Sequence, residues 1–300
     1  MGVDAHAFKF LRYAAQRRPL GDVATLGRQN LYVSASDLQK VFSIPPGTVY
    51  GPYCESLFLE QFGATDVTSF DNSDYEKATV LHDMNKPLTY SRAFDTVLDF
   101  GTLEHVFNIS VALANTAALC RPGGQILHVL PGNNFSGHGF WQVSPELFFS
   151  LYSEANGFVD TEVYVAELDD TVNWWRASRP DNGIRIEHTS SSRCYVMAIT
   201  SRRDEATSQR VQQSDYLTHW DSGAPPMETQ ANPALRKTIH AAIKRIPAFW
   251  RFADILVPLT DKHVDVACHR LAPDNRHFSK VPVASLIGPS LTKVGHMTIR

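Results

Sequence analysis

From about Val23 to Thr200, short apolar runs alternate with stretches in which apolar residues recur every three or four positions. That alternation predicts parallel βαβ units, because parallel strands need a crossover long enough to hold a helix. The first run is Val23-Ala24-Thr25-Leu26, stopped by Gly27. A short helix from Ser36 to Phe42 and a loop around Pro45-Pro46-Gly47 follow. Between Tyr53 and Phe62 the apolar side chains Cys54, Leu57, Phe58 and Phe62 fall at helical spacing, and Gly63 supplies a C-terminal stop. Val67 to Phe70 reads as a second strand ending at Asp71, and Ala78 to Leu81 as a third ending at His82-Asp83.

The fourth strand is the clearest, Phe94 to Asp99 followed by Phe100-Gly101. Asn108 is placed to cap a helix with the stripe Ile109, Leu113, Ala117 and Cys120, which Pro122-Gly123-Gly124 breaks. Ile126 to Leu130 is the fifth strand. Ser144-Pro145 opens another helix and Gly157 ends it; Val159 to Ala166 and Cys194 to Thr200 close the series as strands. Beyond Thr200 the pattern changes. A polar stretch containing Gly223-Ala224-Pro225-Pro226 precedes a helix opened by Asn232-Pro233, and the last forty or so residues read as loop with isolated apolar runs. The expected organisation is a doubly wound α/β domain over residues 1–202, a polar linker or surface excursion over 203–231, and a C-terminal helical or loop extension over 232–300.

Composition narrows the partners. A hydrophobic fraction of 43% and a charged fraction of 20% are those of an ordinary globular protein, and a formal charge of -3 gives no electrostatic reason to expect nucleic-acid binding. No run approaches the roughly 18 apolar residues of a membrane span, and the first residues lack the apolar core of a secretory signal. Cys54, Cys120, Cys194 and Cys268 form no CxxC pair and read as reduced, partly buried small hydrophobes, so a cytoplasmic setting is expected. The helix from Ala234 to Ile246 sets Arg236, Lys237, Lys244 and Arg245 around Leu235, Ile239, Ala242 and Ile243, with Phe249, Trp250 and Phe252 following. It either lies on an anionic membrane surface or packs on the core with a solvated basic face.

Ligands of an open parallel sheet bind beyond the carboxyl ends of its strands, so the polar residues there carry the chemistry. They are Gly27-Arg28-Gln29, Asp71-Asn72, His82-Asp83-Met84-Asn85, Asp99-Phe100-Gly101-Thr102 and Pro131-Gly132-Asn133-Asn134. One carboxylate ending a strand is commonly a turn or a cap. Acidic groups at three strand ends in consecutive βα units point instead to a ligand with ribose hydroxyls, an amine or an ammonium.

The run FDTVLDFGTLEHVFN (Phe94 to Asn108), then LCRPGG (Leu119 to Gly124), then a strand and the aromatic-rich NNFSGHGFWQVSPELF (Asn133 to Phe148), resembles the central block of class I S-adenosylmethionine-dependent methyltransferases. The resemblance spans roughly Asp22 to Arg202, and the fuller run through Phe148 is similar to a bacterial subgroup often associated with glycan or natural-product methylation. It implies a seven-stranded, mostly parallel sheet whose last strand is antiparallel, with helices on both faces. It implies that Gly27 turns the chain toward the cofactor, that Asp71 with Asn72 takes the ribose, that Asp83 and Met84 recognise adenine, and that Asp99, Phe100 and Gly101 lie beside the methionine portion. The family usually has several glycines after its first strand, and Gly27 stands alone here, so Arg28 is a candidate partner for the methionine carboxylate.

Transfer to a hydroxyl needs a group to take a proton. His105 is the first candidate and His138, between Gly137 and Gly139, the second; Glu104 would orient either. Each has a plain alternative as a helix-packing, loop or helix-terminal residue. Asn133, Asn134 and Phe140 are candidate acceptor contacts, while Phe140-Trp141 and Trp174-Trp175 either wall an acceptor pocket or fill the core. Glu104, His105 and His138 are metal-ligating types, but no second histidine at i, i+4 accompanies them, and no metal is expected. The expected activity is O-methylation of a glycan, glycolipid precursor or natural product. The alternatives are a non-catalytic protein of the same fold and, less well supported, a nicotinamide-dependent oxidoreductase, whose GxGxxG loop Gly27-Arg28-Gln29-Asn30 does not supply.

Overall fold

The computed structural model describes residues 2–42, 44–45, 47–180, 186, 188, 190–203, 211–222 and 278–288. Nine strands of these form one sheet: Gly21–Leu26 (β2), Ala64–Asp71 (β4), Val80–Leu81 (β5), Phe94–Phe100 (β6), Cys120–Pro131 (β7), Phe158–Glu167 (β8), Asn173–Ala177 (β9), Cys194–Arg202 (β10) and Phe278–Pro282 (β11). Their order is β11-β9-β8-β10-β7-β6-β2-β4-β5. The pairings from β5 through β4, β2 and β6 to β7 are parallel, whereas β10 runs antiparallel to both β7 and β8. This contains the expected seven-stranded sheet with its antiparallel last strand. Two further strands are a correction to it: β9 adds antiparallel to β8, and β11 antiparallel to β9.

Helices cover both faces, as doubly wound connections require. Ala5–Arg17 (α1), Ala35–Phe42 (α2) and Glu55–Gln61 (α3) pack Phe8, Phe10, Leu11, Leu38 and Phe58 against Val23, Leu98, Leu127 and Met197. On the other face Ile109–Leu119 (α4) and Pro145–Leu151 (α5) bring Ala112, Leu113, Phe148 and Phe149 against Ala24, Val97, Ile126 and Val196. Neighbouring residues of one strand, such as Leu127 and Ile126, serve opposite faces because strand side chains alternate. The helix α1 went unforeseen although Asp4 caps it, accepting from the N–H groups of His6 and Ala7 at 3.0 and 2.9 Å. A two-residue pairing of Gly2–Val3 (β1) with Asn30–Leu31 (β3) sets the start of α1 beside the loop that leaves β2.

Several expected bounds shift. Cys120 opens β7 instead of ending the stripe of α4, and α5 stops at Leu151, with a 3-10 turn at Glu154–Asn156 before Gly157. Asn108 and Ser144 stand at the N-cap positions of α4 and α5, but neither side chain makes the capping bond. Trp174 and Trp175 lie in β9, 0% and 4% exposed, and fill the core. The expected linker contains a helix, Ser214–Ser222 (α6), and the expected loop at the end contains β11 and Val283–Ile287 (α7), whose Val283 and Ile287 are buried in the core. The basic helix expected from Ala234 to Ile246 lies outside the described residues. Among the described residues no helix is long and apolar enough to cross a membrane.

Candidate active site

The carboxyl ends of the five parallel strands come level. Leu26 is in register with both Phe70 and Asp99, Asp99 with His128, and Asp71 with Leu81. Gly27, Asp71, Asp83, Asp99, Phe100 and Gly101 therefore share one end of the sheet. Gly27 adopts a φ of 69°, a left-handed conformation a side chain would oppose, and its N–H donates to the Phe70 carbonyl at 2.7 Å. With no further glycine, the loop is tied by side chains: Gln29 Nε2 donates to the Leu26 carbonyl at 2.7 Å, and Thr102 Oγ1 donates to the same oxygen. Arg28 turns to Glu55 at 2.6 Å, donates to the Glu76 carbonyl at 2.8 Å and lies over the Tyr53 ring at 3.9 Å.

Asp71 is half-buried and Asn72 exposed; one Asp71 oxygen accepts from Ser73 N at 3.2 Å. Asp83 forms a turn with Asn85, accepting from its backbone N–H at 3.0 Å, and the bonds to Asn85 hold its carboxyl below the usual carboxylate range. Met84 is buried, its sulfur accepting from Asn115 Nδ2 at 3.6 Å. Asp99 is wholly buried and does not face the cleft. One of its oxygens meets His128 Nδ1 at 2.7 Å, the other accepts from the N–H groups of Thr102 and Leu103, and His128 Nε2 continues to the Tyr152 hydroxyl at 2.6 Å.

The turn that Asp99 holds carries two of the three catalytic candidates, Glu104 and His105. Leu103–His105 is a single 3-10 turn that points Glu104 inward, 0% exposed, and leaves His105 at the surface with its side chain 47% exposed. The loop after β7 is fastened onto this turn. Phe140 and Trp141 donate their N–H groups to the Glu104 carbonyl at 2.7 and 3.3 Å, and Trp141 Nε1 donates to the Val106 carbonyl at 2.9 Å. Gly139 has a φ of 82°, and a Cβ there would stand 2.7 Å from the Glu104 carbonyl oxygen, so only glycine allows this approach. His138 is thereby brought to Glu104. His138 Nε2 lies 3.6 Å and His105 Nε2 3.7 Å from Glu104 Oε1, and the two imidazoles are 5.3 Å apart between centroids.

Both carboxyl oxygens of Glu104 are buried without a hydrogen-bond partner. Burial, with the nearby Asp99 charge second, pushes its carboxyl up to about 8. Burial likewise lowers both histidines, His105 additionally through His138. A cavity of about 90 Å³ opens on this group, bounded by Phe100, Gly101, Glu104, Val129, His138 and Tyr195, with Gly2, Asp4 and Tyr32 across from them. Larger clefts of about 370 and 260 Å³ contain none of the candidate site residues. Burial, reinforced by Asp4, raises the Tyr195 phenol, which leaves it a hydrogen-bond donor at neutral pH.

The cluster thus unites all three catalytic candidates, Glu104, His105 and His138, and puts Phe100 and Gly101 on the cavity wall. Asn133 and Asn134 serve the loop instead: both donate to the Ser190 carbonyl, and Asn134 also to that of Ser192 at 3.0 Å. Phe140 is 67% exposed and meets Phe107 edge-on at 5.9 Å, forming an aromatic rim beside the histidines. Sequence reasoning missed His128, Tyr152 and Tyr195, and the contribution of Gly2, Asp4 and Tyr32. The Asp4 cap was a readable signal for α1, but the β1–β3 pairing that brings it to the site had none. Cys54, Cys120 and Cys194 are buried free thiols, raised by burial (Cys120 to about 12 and Cys194 to about 11), as inert hydrophobes should be.

Residues 46–193 match the family model of a methyltransferase domain. Among curated proteins none matches this sequence. Similar solved structures include the N-methyltransferase NodS from Bradyrhizobium japonicum WM9, at 11% identity and a TM-score of 0.38, covering 66% of this chain and 94% of that one. The 1,6-didemethyltoxoflavin-N1-methyltransferase of Burkholderia thailandensis, whose structure holds S-adenosylhomocysteine, is 17% identical with a TM-score of 0.37, covering 67% of this chain and 78% of that one. An O-MT segment of StiE is 15% identical with a TM-score of 0.38, covering 72% of this chain and 79% of that one. These likenesses are too distant to bear on the acceptor. The matched segment, running from before α3 to the start of β10, identifies a methyltransferase domain within the chain, with S-adenosylmethionine as its cofactor.

Proposed function

We propose that the chain methylates a hydroxyl of a glycan, glycolipid precursor or natural product, held at the cavity between Gly101 and the Glu104–His105–His138 cluster. S-adenosylmethionine supplies an electrophilic sulfonium methyl. The residues at the strand ends fit such a group: Asp71 keeps one carboxyl oxygen unused by Ser73 for ribose hydroxyls, Asp83 stands at the next strand end, and the β2 loop approaches through a glycine. The observation that carries the reading is the Glu104 carboxyl, buried at the cavity wall with both oxygens lacking a hydrogen-bond partner. Buried polar groups are rarely left so, and the missing partner is matched by a polar hydrogen of the acceptor. Glu104 and the two histidines then hold the acceptor hydroxyl and ease its deprotonation, while Phe107 and Phe140 offer aromatic faces to a sugar ring or apolar scaffold. Fixing donor and acceptor in line supplies much of the rate.

Calorimetry tests the cofactor side of the reading. S-adenosylhomocysteine is expected to bind in the micromolar range, and Asp71→Ala to weaken it by about 1–3 kcal/mol through loss of a charge-assisted hydrogen bond. No heat with this ligand, together with clear heat from a nicotinamide cofactor, overturns the reading.

A further inference from the structure

We propose that Glu104, His105 and His138 bind one divalent transition-metal ion of the zinc class, set where the acceptor hydroxyl meets the transferred methyl. The donors are one carboxylate oxygen and two imidazole nitrogens, a set that suits zinc, iron(II), cobalt and manganese better than magnesium or calcium. Their geometry is close to what an ion requires. Ligands held about 2.1 Å from a tetrahedral zinc stand about 3.4 Å apart. Glu104 Oε1 lies 3.6 Å from His138 Nε2 and 3.7 Å from His105 Nε2, and the ligand atoms of all three residues lie within 4.8 Å of one another. Those separations are too long for good hydrogen bonds between the groups, and the two carboxylate–imidazole distances lie within a few tenths of an ångström of the spacing an ion sets, while the exposed imidazoles are free to turn toward a common centre.

A second feature points to a ligand independently. Glu104 is 0% exposed and has no hydrogen-bond partner on either oxygen, an arrangement that costs stability unless something cationic or protic completes it. The histidines are 47% and 56% exposed, so an ion bound to three protein ligands would keep an open position toward solvent, as catalytic ions do and structural ones do not. The framework is also stiff. The Glu104 carbonyl is bonded by Phe140 and Trp141, Trp141 is tied to Val106, and Gly139 admits no side chain, so the two loops cannot drift apart without breaking this brace. The histidines come from different loops rather than from one helix, which is why no i, i+4 spacing announces them.

The catalytic part of the proposal rests on the methyl-transfer reading; the ion's binding does not. An acceptor hydroxyl on the open position loses its proton to water more readily, because the ion stabilises the alkoxide. The alkoxide oxygen then forms the bond to the methyl carbon, and the carbon–sulfur bond breaks with its electron pair remaining on sulfur. One proton is released for each methyl transferred.

The test uses the full chain, stripped with a chelator and checked for folding by circular dichroism. Titration with Co²⁺, followed by its visible absorption, and equilibrium dialysis with Zn²⁺ should each give one ion per chain. His138→Ala and His105→Ala, both surface positions, should weaken binding at least about tenfold, and Glu104→Gln should do the same. Absence of stoichiometric binding by the wild-type chain overturns the proposal, as does equal binding by the three variants. Calorimetry with S-adenosylhomocysteine on the metal-free chain judges the methyl-transfer reading separately. An ion site without cofactor heat would keep the ion and lose that reading, and cofactor heat without an ion would do the reverse.

Discussion

Two histidines on separate loops meet one buried carboxylate, and the cost of that meeting is visible in single residues. His105→Ala or His138→Ala should lower turnover by about 10²–10⁴-fold with little change in S-adenosylhomocysteine affinity, because neither side chain lies among the strand-end residues placed for the cofactor. Near-normal turnover in both variants would remove them from the chemistry. Lys9 is a second group held away from its ordinary state. It is fully buried in α1, donates to the Thr171 carbonyl at 2.7 Å, and burial lowers it to about 8 despite Asp170, Asp37 and Asp4. An unfolded lysine titrates at about 10.4, so between about pH 8 and 10.4 the unfolded chain binds a proton that the folded chain has released. Stability from this group is therefore fully present above that window and lost as pH falls through 8. Urea midpoints of wild type and Lys9→Met should diverge in favour of wild type as pH rises from about 7.5 to about 9.5. A constant gap would mean that Lys9 titrates normally.

Elements were legible where periodicity was long and uninterrupted. The strands β6, β7, β8 and β10 were evident because each holds a cluster of apolar, largely β-branched or aromatic residues between turn signals. The helix α1 was not, since Lys9 occupies a buried position in the middle of its apolar face and spoils the pattern. The strand β11 was hidden for a different reason: its sequence Phe-Ser-Lys-Val-Pro buries only Phe278, so its strand character comes from pairing with β9. That pairing gives the chain's end a structural task. Phe278, Val283 and Ile287 are 5%, 0% and 3% exposed, each worth about 1.5–3 kcal/mol on burial, and together they rival the roughly 5–15 kcal/mol of a whole domain. Removing residues 278–300 should give an aggregating or unfolded product in a solubility and circular-dichroism assay. A monomeric truncation with native spectrum would show β11 and α7 to be dispensable.

At the scale of the molecule, the strand-end rule pointed to the edge of the sheet where the structure gathers Glu104, His105 and Gly101, and their position followed from β6 alone. What could not be read was the roof over that edge. Asp4 and Tyr195 reach the cavity from α1 and β10, elements far from the central block in sequence, and Asp99, the most conspicuous acid of the block, is turned inward to His128. The outer border of the sheet has its own consequence. Phe278 pairs with Ala177, about a hundred residues earlier in the chain. A ribosome must deliver all of that intervening sequence before the edge can close, and the loop entropy of so distant a partner is met only at the end. Until then the strand carrying Trp174 and Trp175 is a bare, strongly apolar edge, able to pair with another nascent chain. For this protein the hazardous interval of synthesis comes late, after the parallel half of the sheet has already formed.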